Sequence, residues 1–207
     1  MSENSSHQYT YSDEPIGIST SRCGRGGRDY AIKNFDPNDR DTQLPVAAVG
    51  EIGDRGAALM LGHFVNQQAT EGSFSRDGWL MSGDLGALDM AGNLTVAGRS
   101  KDLIIRGGHK IHPAHIEAVA LHHPEIDKIA AIALADERLG ERICVVVVGD
   151  MPADVLLAHL RTEVLSKFDM PEYLLRAGQF LLTASGKVLK CVLVDAVRAG
   201  QLHPVPI

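Results

Sequence analysis

The segment TASGKVLK, residues 183–190, places a lysine directly after a Ser-Gly pair. Glycine and its small neighbours favour an unobstructed loop, and the Lys187 ammonium is a compact point charge on a flexible stem. A cation on such a loop suits negative charge that develops on phosphate or carboxylate oxygens. The alternative is an ordinary surface turn. The segment is not a phosphate-binding loop of the GxxxxGK[ST] type, which is absent from the sequence.

A second candidate is Asp84 in the segment SGDLG, residues 82–86, where a strand pattern meets a glycine. A carboxylate beside glycine can accept two hydrogen bonds from a vicinal diol such as a ribose, because glycine lets the ligand approach the backbone closely. An aspartate that only stabilises a turn is the alternative interpretation.

The third candidate is the segment GRSKDLIIRGGHKIHPAHIE, residues 98–117. Arg99 and Lys101 are two cations near a change in sequence character, and they would suit a phosphate or nucleotide that is covered by domain closure. A solvated charged linker explains them equally well. Gly107 and Gly108 permit positive φ and a bare backbone face, which could line a narrow channel or simply make a tight turn.

Histidines crowd residues 109–123, but their spacing is a poor match for a metal site. His112 and His115 are three residues apart, and His112 precedes Pro113 and should lie outside the following helix. Ser-His-Asp catalysis is disfavoured because no GxSxG segment is present.

The bulk composition limits the classes of partner. The net charge is −6 and the pI is near 5.8, so the basic surface of a nucleic-acid-binding protein is not expected. No stretch has the ~18 apolar residues of a membrane span. The N-terminal residues are polar and unlike a signal peptide, so we expect a cytoplasmic protein. Cys23, Cys144 and Cys191 fit neither a disulfide framework nor a CxxC metal site, and Cys144 should be a core thiol.

The first half of the chain should be β-rich. Short strand patterns broken by glycine predict strands in YAIKNF, VGEIGDRG, GWLMSGDLGALD and GNLTVAGR, with a tight hairpin at DMAGN and a helix near residues 66–72. The remainder of residues 1–45 reads as turns and loops.

The second half should alternate strands and helices. We expect a hairpin in KDLIIRGGHKI and a helix in HPAHIEAVALHH, followed by two buried strands in IDKIAAIALAD and RICVVVVGD. A helix reaching Val164 is expected in MPADVLLAHLRTEVLSKF. A strand in EYLLRAGQFLL and a helix that ends at Gly200, in KVLKCVLVDAVRAG, should follow it. Asp150 and Pro152 should cap and open the middle helix. The predicted class is α+β, with a domain boundary at about residues 99–101.

Together these segments resemble the adenylate-forming superfamily, which includes acyl-CoA synthetases, peptide-synthetase adenylation domains and luciferases. GWLMSGDLG resembles the family's GWxxTGDxG segment, GRSKDLIIRGGHKIHPAHIE its GRxKDxIxxxGxxIxPxxIE segment, and TASGKVLK its TxSGKxxR/K segment. Residues 49–74 also resemble the preceding family stretch, and YTYSDEP, residues 9–15, resembles a degraded YGxTE segment.

The resemblance implies roles at the nucleotide for three residues and a metal-binding role for a fourth. Asp84 would hold the ribose hydroxyls of AMP, and Arg99 would contact the ribose and phosphate region. Lys187 would be the adenylation lysine, which bridges carboxylate and α-phosphate oxygens. Asp13 would be a magnesium ligand, although it is shorter than the family's glutamate.

The resemblance also implies a two-domain enzyme that uses ATP, Mg²⁺ and CoA. Lys101 would be the hinge about which the small domain swings between two half-reactions, and Gly107 and Gly108 would lie along the pantetheine channel. Residues 1–99 would be the β-rich end of a large N-terminal domain, and residues 100–207 a small mobile α+β C-terminal domain.

The expected function is therefore that of an acyl-CoA ligase, an AMP-forming acid–thiol ligase of fatty acid metabolism. The family's SSGTTGxPK-type phosphate loop and most of the acyl pocket are absent from this sequence. We accordingly expect a truncated fragment that is inactive alone, with a carboxylic acid, ATP and CoA as its small-molecule partners. The alternatives are a non-catalytic nucleotide- or CoA-binding module, a subunit that complements a separately encoded large domain, and a non-functional remnant.

Overall fold

The computed structural model describes residues 8–12, 14–163, 165–184 and 186–207. The chain divides into two compact units, Met1–Lys101 and Asp102–Ile207, and each contains both strands and helices. The α+β class predicted from the sequence is therefore confirmed. Asp13, Val164 and Ser185, which carried predictions, lie outside the described residues.

The first unit is built on an antiparallel sheet of five strands. Its elements in chain order are β1 (Gln8–Tyr9), α1 (Ile16–Ser21), β2 (Arg25–Gly26), β3 (Tyr30–Asp36), β4 (Asp39–Gln43), β5 (Gly50–Gly56), α2 (Gln67–Ser73), β6 (Leu80–Leu88) and β7 (Leu94–Arg99). The strand order in the sheet is β4-β3-β5-β6-β7, and β1 pairs with β2 in a separate two-stranded ribbon.

The hairpin predicted at DMAGN is confirmed as the connection between β6 and β7. Asp89 stabilises it, because Oδ1 accepts hydrogen bonds from the backbone N–H groups of Ala91 and Asn93, both at 2.9 Å. Gly92 takes a φ of 83°, which favours glycine at this point of the turn. The hairpin places the end of β7 beside the middle of β6.

Helix α2 also agrees with the sequence, whereas β4 and α1 were not predicted. Asn66 caps α2, since its Oδ1 accepts from the Ala69 N–H at 2.9 Å. All five residues of β4 are exposed, so this edge strand has no alternation of apolar and polar residues to reveal it. Helix α1 is a single short segment rich in serine and β-branched residues, which are weak helix formers.

The second unit is a mixed sheet of six strands with helices on both faces. Its elements are β8 (Ile104–Arg106), β9 (His109–Ile111), α3 (Pro113–Ala120), β10 (Ile129–Asp136), β11 (Gly140–Val148), α4 (Ala153–Thr162), β12 (Tyr173–Ala177), α5 (Lys190–Arg198) and β13 (Val205–Pro206). Strands β11 and β12 are parallel, and the other pairs are antiparallel.

Strand β11 has a continuous apolar sequence because both of its faces are covered. Ile143, Val145 and Val147 contribute to the core beneath α3 and α4, whereas Cys144 and Val146 contribute to the core beneath α5. A strand covered on both faces has no polar side, so period-two alternation disappears. Burial raises the pKa of the Cys144 thiol to about 12, and the expected core thiol is confirmed.

The predicted start of α4 was wrong in detail. Pro152 is the N-cap residue rather than part of the first turn, and the described hydrogen bonds include no side-chain cap at this end. Pro152 is extended, with φ −66° and ψ 140°, so the helix begins at Ala153 and Asp150 lies before it. Among the described helices, the longest has ten residues, and none has the length and apolar character that crossing a bilayer requires.

Candidate functional site

Asp84 and Arg99 face each other on neighbouring strands of the first unit. Their Cα atoms are register partners in the β6–β7 pair, and Arg99 Nε donates to Asp84 Oδ1 at 2.9 Å. The Asp84 side chain is 27% exposed and that of Arg99 is 53% exposed. The structure therefore brings together two residues that the sequence singled out separately, and it leaves both reachable from solvent.

An irregularity in β6 directs Asp84. The register to β5 shifts between Glu51 and Gly53, so β6 carries extra residues at this point. Gly83 adopts a φ of 74°, and its N–H donates to Glu51 Oε1 at 3.1 Å. The Asp84 N–H donates to Ser82 Oγ at 3.1 Å. Bulges of this kind re-aim a side chain at the edge of a site.

Glu51 is a supporting residue that sequence reasoning missed. It holds the backbone one residue before Asp84, although it lies on a different strand. The GEI stretch at residues 50–52 belongs to the longer segment, residues 49–74, that resembles the family. The sequence feature that could have indicated this role is an acidic residue beside glycine in a buried strand.

Lys101 is exposed and lies in a 3-10 turn, Ser100–Asp102, at the boundary of the two units. Its position is where a residue that changes backbone conformation between two states would be expected. The hinge role itself stays a prediction.

Gly107 and Gly108 form a two-residue turn between β8 and β9, which confirms the predicted hairpin. Their φ values are 56° and 85°, as in the type I′ turns that join antiparallel strands. A Cβ atom built on Gly108 would meet nothing within 4 Å, whereas one on Gly107 would lie 3.4 Å from Leu139 Cδ2. The outer face of the turn at Gly108 is bare backbone.

Lys187 projects from a tight hairpin in the second unit. The Gly186 N–H donates to Thr183 O at 2.9 Å, and the Thr183 N–H donates to Lys187 O at 2.8 Å. Thr183 Oγ1 also accepts from the Lys187 N–H at 3.1 Å. Gly186 has a φ of 81°, which a residue with a Cβ rarely adopts. The hairpin therefore fixes the Lys187 backbone, while its side chain is exposed and makes no ion pair with any described residue.

Lys190, the second lysine of the same segment, has a different environment. Its Nζ lies 2.6 Å from Glu117 Oε1, and the two side chains are 23% and 19% exposed. The same oxygen accepts the Ala131 N–H at 2.7 Å. Lys190 is thus a structural cation, and Lys187 is the one that remains available.

The histidine-rich segment gives no metal centre in the part of the chain that the structure describes. His112 lies outside α3 as its N-cap residue, as predicted. Burial lowers the pKa of His112, so the neutral imidazole is favoured there.

Comparisons with known proteins point to one family. The profile of the AMP-binding enzyme C-terminal domain matches residues 115–187. The medium-chain fatty-acid–CoA ligase of Escherichia coli is 33% identical over 196 residues, which cover 92% of this chain and 34% of that protein. The salicylyl-CoA synthase/salicylate adenylyltransferase of a Streptomyces species is 35% identical over 195 residues, 92% of this chain and 35% of that protein.

A solved structure agrees with these relatives. The o-succinylbenzoate CoA synthetase of Bacillus subtilis, in complex with its acyl-adenylate intermediate, matches with a TM-score of 0.85 and 32% identity. The match covers 95% of this chain and 40% of that one. The chain spans about a third of the length of the curated relatives it matches.

Proposed function

Given that the chain belongs to the adenylate-forming superfamily and carries its C-terminal portion, we propose that it serves an AMP-forming acyl-CoA ligase. Its residues 1–99 would complete a large nucleotide-binding domain, and residues 100–207 would form the small mobile domain. The reaction would join a carboxylic acid to ATP with release of pyrophosphate, and then transfer the acyl group to CoA with release of AMP.

The contrast between the two lysines of TASGKVLK carries this proposal. Lys190 is neutralised by Glu117 at 2.6 Å, whereas the Lys187 ammonium has no ion-pair partner among the described residues. A surface lysine needs no fixed hairpin, yet three hydrogen bonds between residues 183 and 187 hold the Lys187 backbone. A lysine whose backbone is fixed and whose ammonium is unpaired suits a negatively charged ligand that arrives during a catalytic cycle.

Lys187 would act in the first half-reaction. A carboxylate oxygen of the acid attacks the α-phosphorus of ATP, and negative charge accumulates on the oxygens of the transition state. The ammonium would stabilise that charge by bridging the carboxylate and the α-phosphate. One well-placed cation in a site closed to water contributes about 3–4 kcal/mol to such a step.

Asp84 and Arg99 would bind the nucleotide. The Asp84 carboxylate can accept hydrogen bonds from both ribose hydroxyls, and Arg99 already lies 2.9 Å from it. Arg99 would keep this pair while its remaining N–H groups reach the ribose and phosphate, because a guanidinium carries five donors in a fixed fork.

The second half-reaction would use Lys101 and the Gly107–Gly108 turn. Lys101 would be the hinge that lets the small domain change its orientation after adenylation. The Gly107–Gly108 turn would line the channel that leads the pantetheine arm of CoA to the acyl-adenylate. The thiol sulfur would then attack the acyl carbonyl, and AMP would leave with the electrons of the broken acyl–phosphate bond.

The family resemblance implies Mg²⁺ as a cofactor. Asp13, the residue expected to bind it, lies outside the described residues, and the described part of the chain contains no cluster of three carboxylate, histidine or cysteine ligands. Magnesium would neutralise the phosphates of ATP when bound.

Pyrophosphate exchange with a panel of carboxylic acids tests the proposal. We expect no exchange by the 207-residue chain on its own, because the sequence has no Ser/Thr/Gly-rich phosphate loop. We expect exchange when a large domain is supplied in trans, for example the part of the Escherichia coli ligase that precedes the matched region. Exchange that is equally strong with Lys187→Met would contradict the role of Lys187.

A non-catalytic module that binds AMP or CoA is the second candidate. The Asp84–Arg99 pair favours it, because these two solvent-reachable side chains, 2.9 Å apart, can bind a ligand without any catalytic step. Micromolar binding in calorimetry, with no exchange in the presence of any supplied large domain, would favour this candidate over the ligase.

A further inference from the structure

The Gly107–Gly108 turn is attached on both sides to the segment that connects α4 with β12. Arg106, directly before the glycines, donates from Nη1 to Phe168 O at 3.1 Å and from Nη2 to Glu172 Oε1 at 2.7 Å. His109, directly after them, stacks on the Phe168 ring with centroids 4.3 Å apart and planes inclined by 22°. Both residues that bracket the turn therefore depend on a distant part of the chain.

Glu172 is fixed independently of Arg106. Its Oε1 also accepts from Arg142 Nη1 at 3.2 Å, and its Oε2 accepts from the Ile143 N–H at 3.2 Å. Its backbone N–H donates to Ile143 O at 3.0 Å. The side chain is 18% exposed, so the carboxylate is largely shielded from water. Because Glu172 has these other partners, it is held without Arg106, and it can therefore set the orientation of Arg106.

Arg142 extends this arrangement to the turn between β10 and β11. Its guanidinium also donates to Asp136, and the Gly107 N–H donates to Leu139 O at 2.7 Å within the same connection. The glycine pair is thus held by the backbone hydrogen bond to Leu139 and by the contacts of the neighbouring Arg106. A Cβ atom on Gly108 would meet nothing within 4 Å, so the turn is open at this residue.

We propose that Glu172 is a positioning residue, which acts through Arg106 to set the orientation of the Gly107–Gly108 turn for the pantetheine arm of CoA. Glu172 itself would touch neither CoA nor the nucleotide. This inference rests on the proposed function, in which the glycine turn lines the CoA channel. A two-residue turn without side chains offers a ligand only its backbone, so its orientation decides whether the ligand fits.

Calorimetry of the 207-residue chain with CoA and, separately, with AMP tests the inference. Glu172→Gln and Arg106→Met should each weaken CoA binding by about tenfold, since a charge-assisted hydrogen bond is lost. AMP affinity should stay within about twofold, because Asp84 and Arg99 lie in the other unit. The control Glu163→Gln removes a carboxylate that pairs with His122 at 3.0 Å in the same unit, and it should leave both affinities unchanged.

The double variant separates positioning from general loss of structure. If Glu172 acts through Arg106, Glu172→Gln combined with Arg106→Met should bind CoA no more weakly than either single variant. CoA affinity that is unchanged in the folded single variants would overturn the inference, as would an additive double variant or an equal loss of CoA and AMP binding. A parent chain that binds neither ligand would instead refute the proposed function, and the positioning role with it.

Discussion

Lys190 Nζ lies 2.6 Å from Glu117 Oε1, which ties the first residue of α5 to helix α3. The same carboxylate oxygen accepts the Ala131 N–H of β10 at 2.7 Å, so three elements meet at one atom. The pair joins two of the segments that stood out in the sequence, GRSKDLIIRGGHKIHPAHIE and TASGKVLK.

Removal of the Lys190 charge should destabilise the second unit. Lys190→Met leaves Glu117 partly buried without its ion-pair partner, and we expect the free energy of unfolding to fall by about 1–2 kcal/mol. Urea unfolding followed by circular dichroism measures this. Lys187→Met is the matched control and should change stability by less than about 0.5 kcal/mol. Equal effects of the two substitutions would contradict the division of roles between these lysines.

Gly186→Ala should loosen the hairpin that carries Lys187. An alanine held at a φ of 81° is strained by about 1–2 kcal/mol, although its Cβ would meet nothing within 4 Å. The comparison is Gly178→Ala, a glycine on the same unit that is also in open space and is not among those with positive φ. Denaturation midpoints of the two variants should therefore differ, with Gly186→Ala the lower. Identical midpoints would show that the turn is not under this constraint.

Asp84→Asn should weaken AMP binding by about tenfold or more, because a neutral amide pairs less well with Arg99 and accepts from only one atom. Asp77→Asn provides the control, since Asp77 is exposed and lies on the loop just before β6. Calorimetric titration with AMP measures both. A folded Asp84→Asn chain with undiminished AMP affinity would exclude Asp84 from the nucleotide site.

The first unit should lose stability in acid through Asp89. Hydrogen bonds from the Asn93 backbone N–H above all, and also from the Asn93 side chain and the Ala91 N–H, hold the pKa of the Asp89 carboxyl below its ordinary value. A carboxyl whose pKa is lower in the folded state stabilises above its unfolded pKa of about 3.9 and loses that contribution as pH falls further. The urea midpoint, followed by fluorescence of buried Trp79, should fall less between pH 7 and pH 3 in Asp89→Asn than in the parent chain. A parallel fall in both would contradict this.

The three cysteines should react with Ellman's reagent in two classes. Cys23 and Cys191 are exposed, whereas Cys144 is fully buried and burial raises its pKa to about 12. We expect two thiols to react promptly at pH 8 and the third to react only when denaturant is added. Prompt reaction of all three would mean that the β11 core opens readily.

Local sequence patterns predicted much of the fold because many turns and helix starts are determined by the backbone preferences of a few neighbouring residues. The Gly107–Gly108 turn, the DMAGN hairpin and the Pro113 helix start each depend on the backbone preferences of one or two residues. Strand β4 escaped prediction because all its residues are polar and exposed at a sheet edge. The start of α4 was misjudged because Asp150 and Pro152 both resemble opening residues, and only the backbone conformation separates them.

The candidate site was predicted as separate residues and not as an arrangement. The 2.9 Å contact of Arg99 with Asp84 depends on the register of β6 and β7, and the link from Arg106 to Glu172 depends on a connection between distant strands. Neither relationship is visible in residue types or spacing. The resemblance to a family suggested roles for Asp84, Arg99 and Lys187, and the structure adds the partners that hold them.

The parallel pairing of β11 with β12 has a consequence for how the second unit assembles. Strands β10 and β11 pair over eight positions across a short turn, so their ladder can zip within microseconds of collapse. Strand β12 pairs with β11 only after the chain has passed through α4. Closing that larger loop costs conformational entropy before the β11–β12 contacts can stabilise the unit. This topology favours formation of the β10–β11 hairpin before the β11–β12 pair. Glu172, at the entry to β12, would then gain its arginine partners only late in folding.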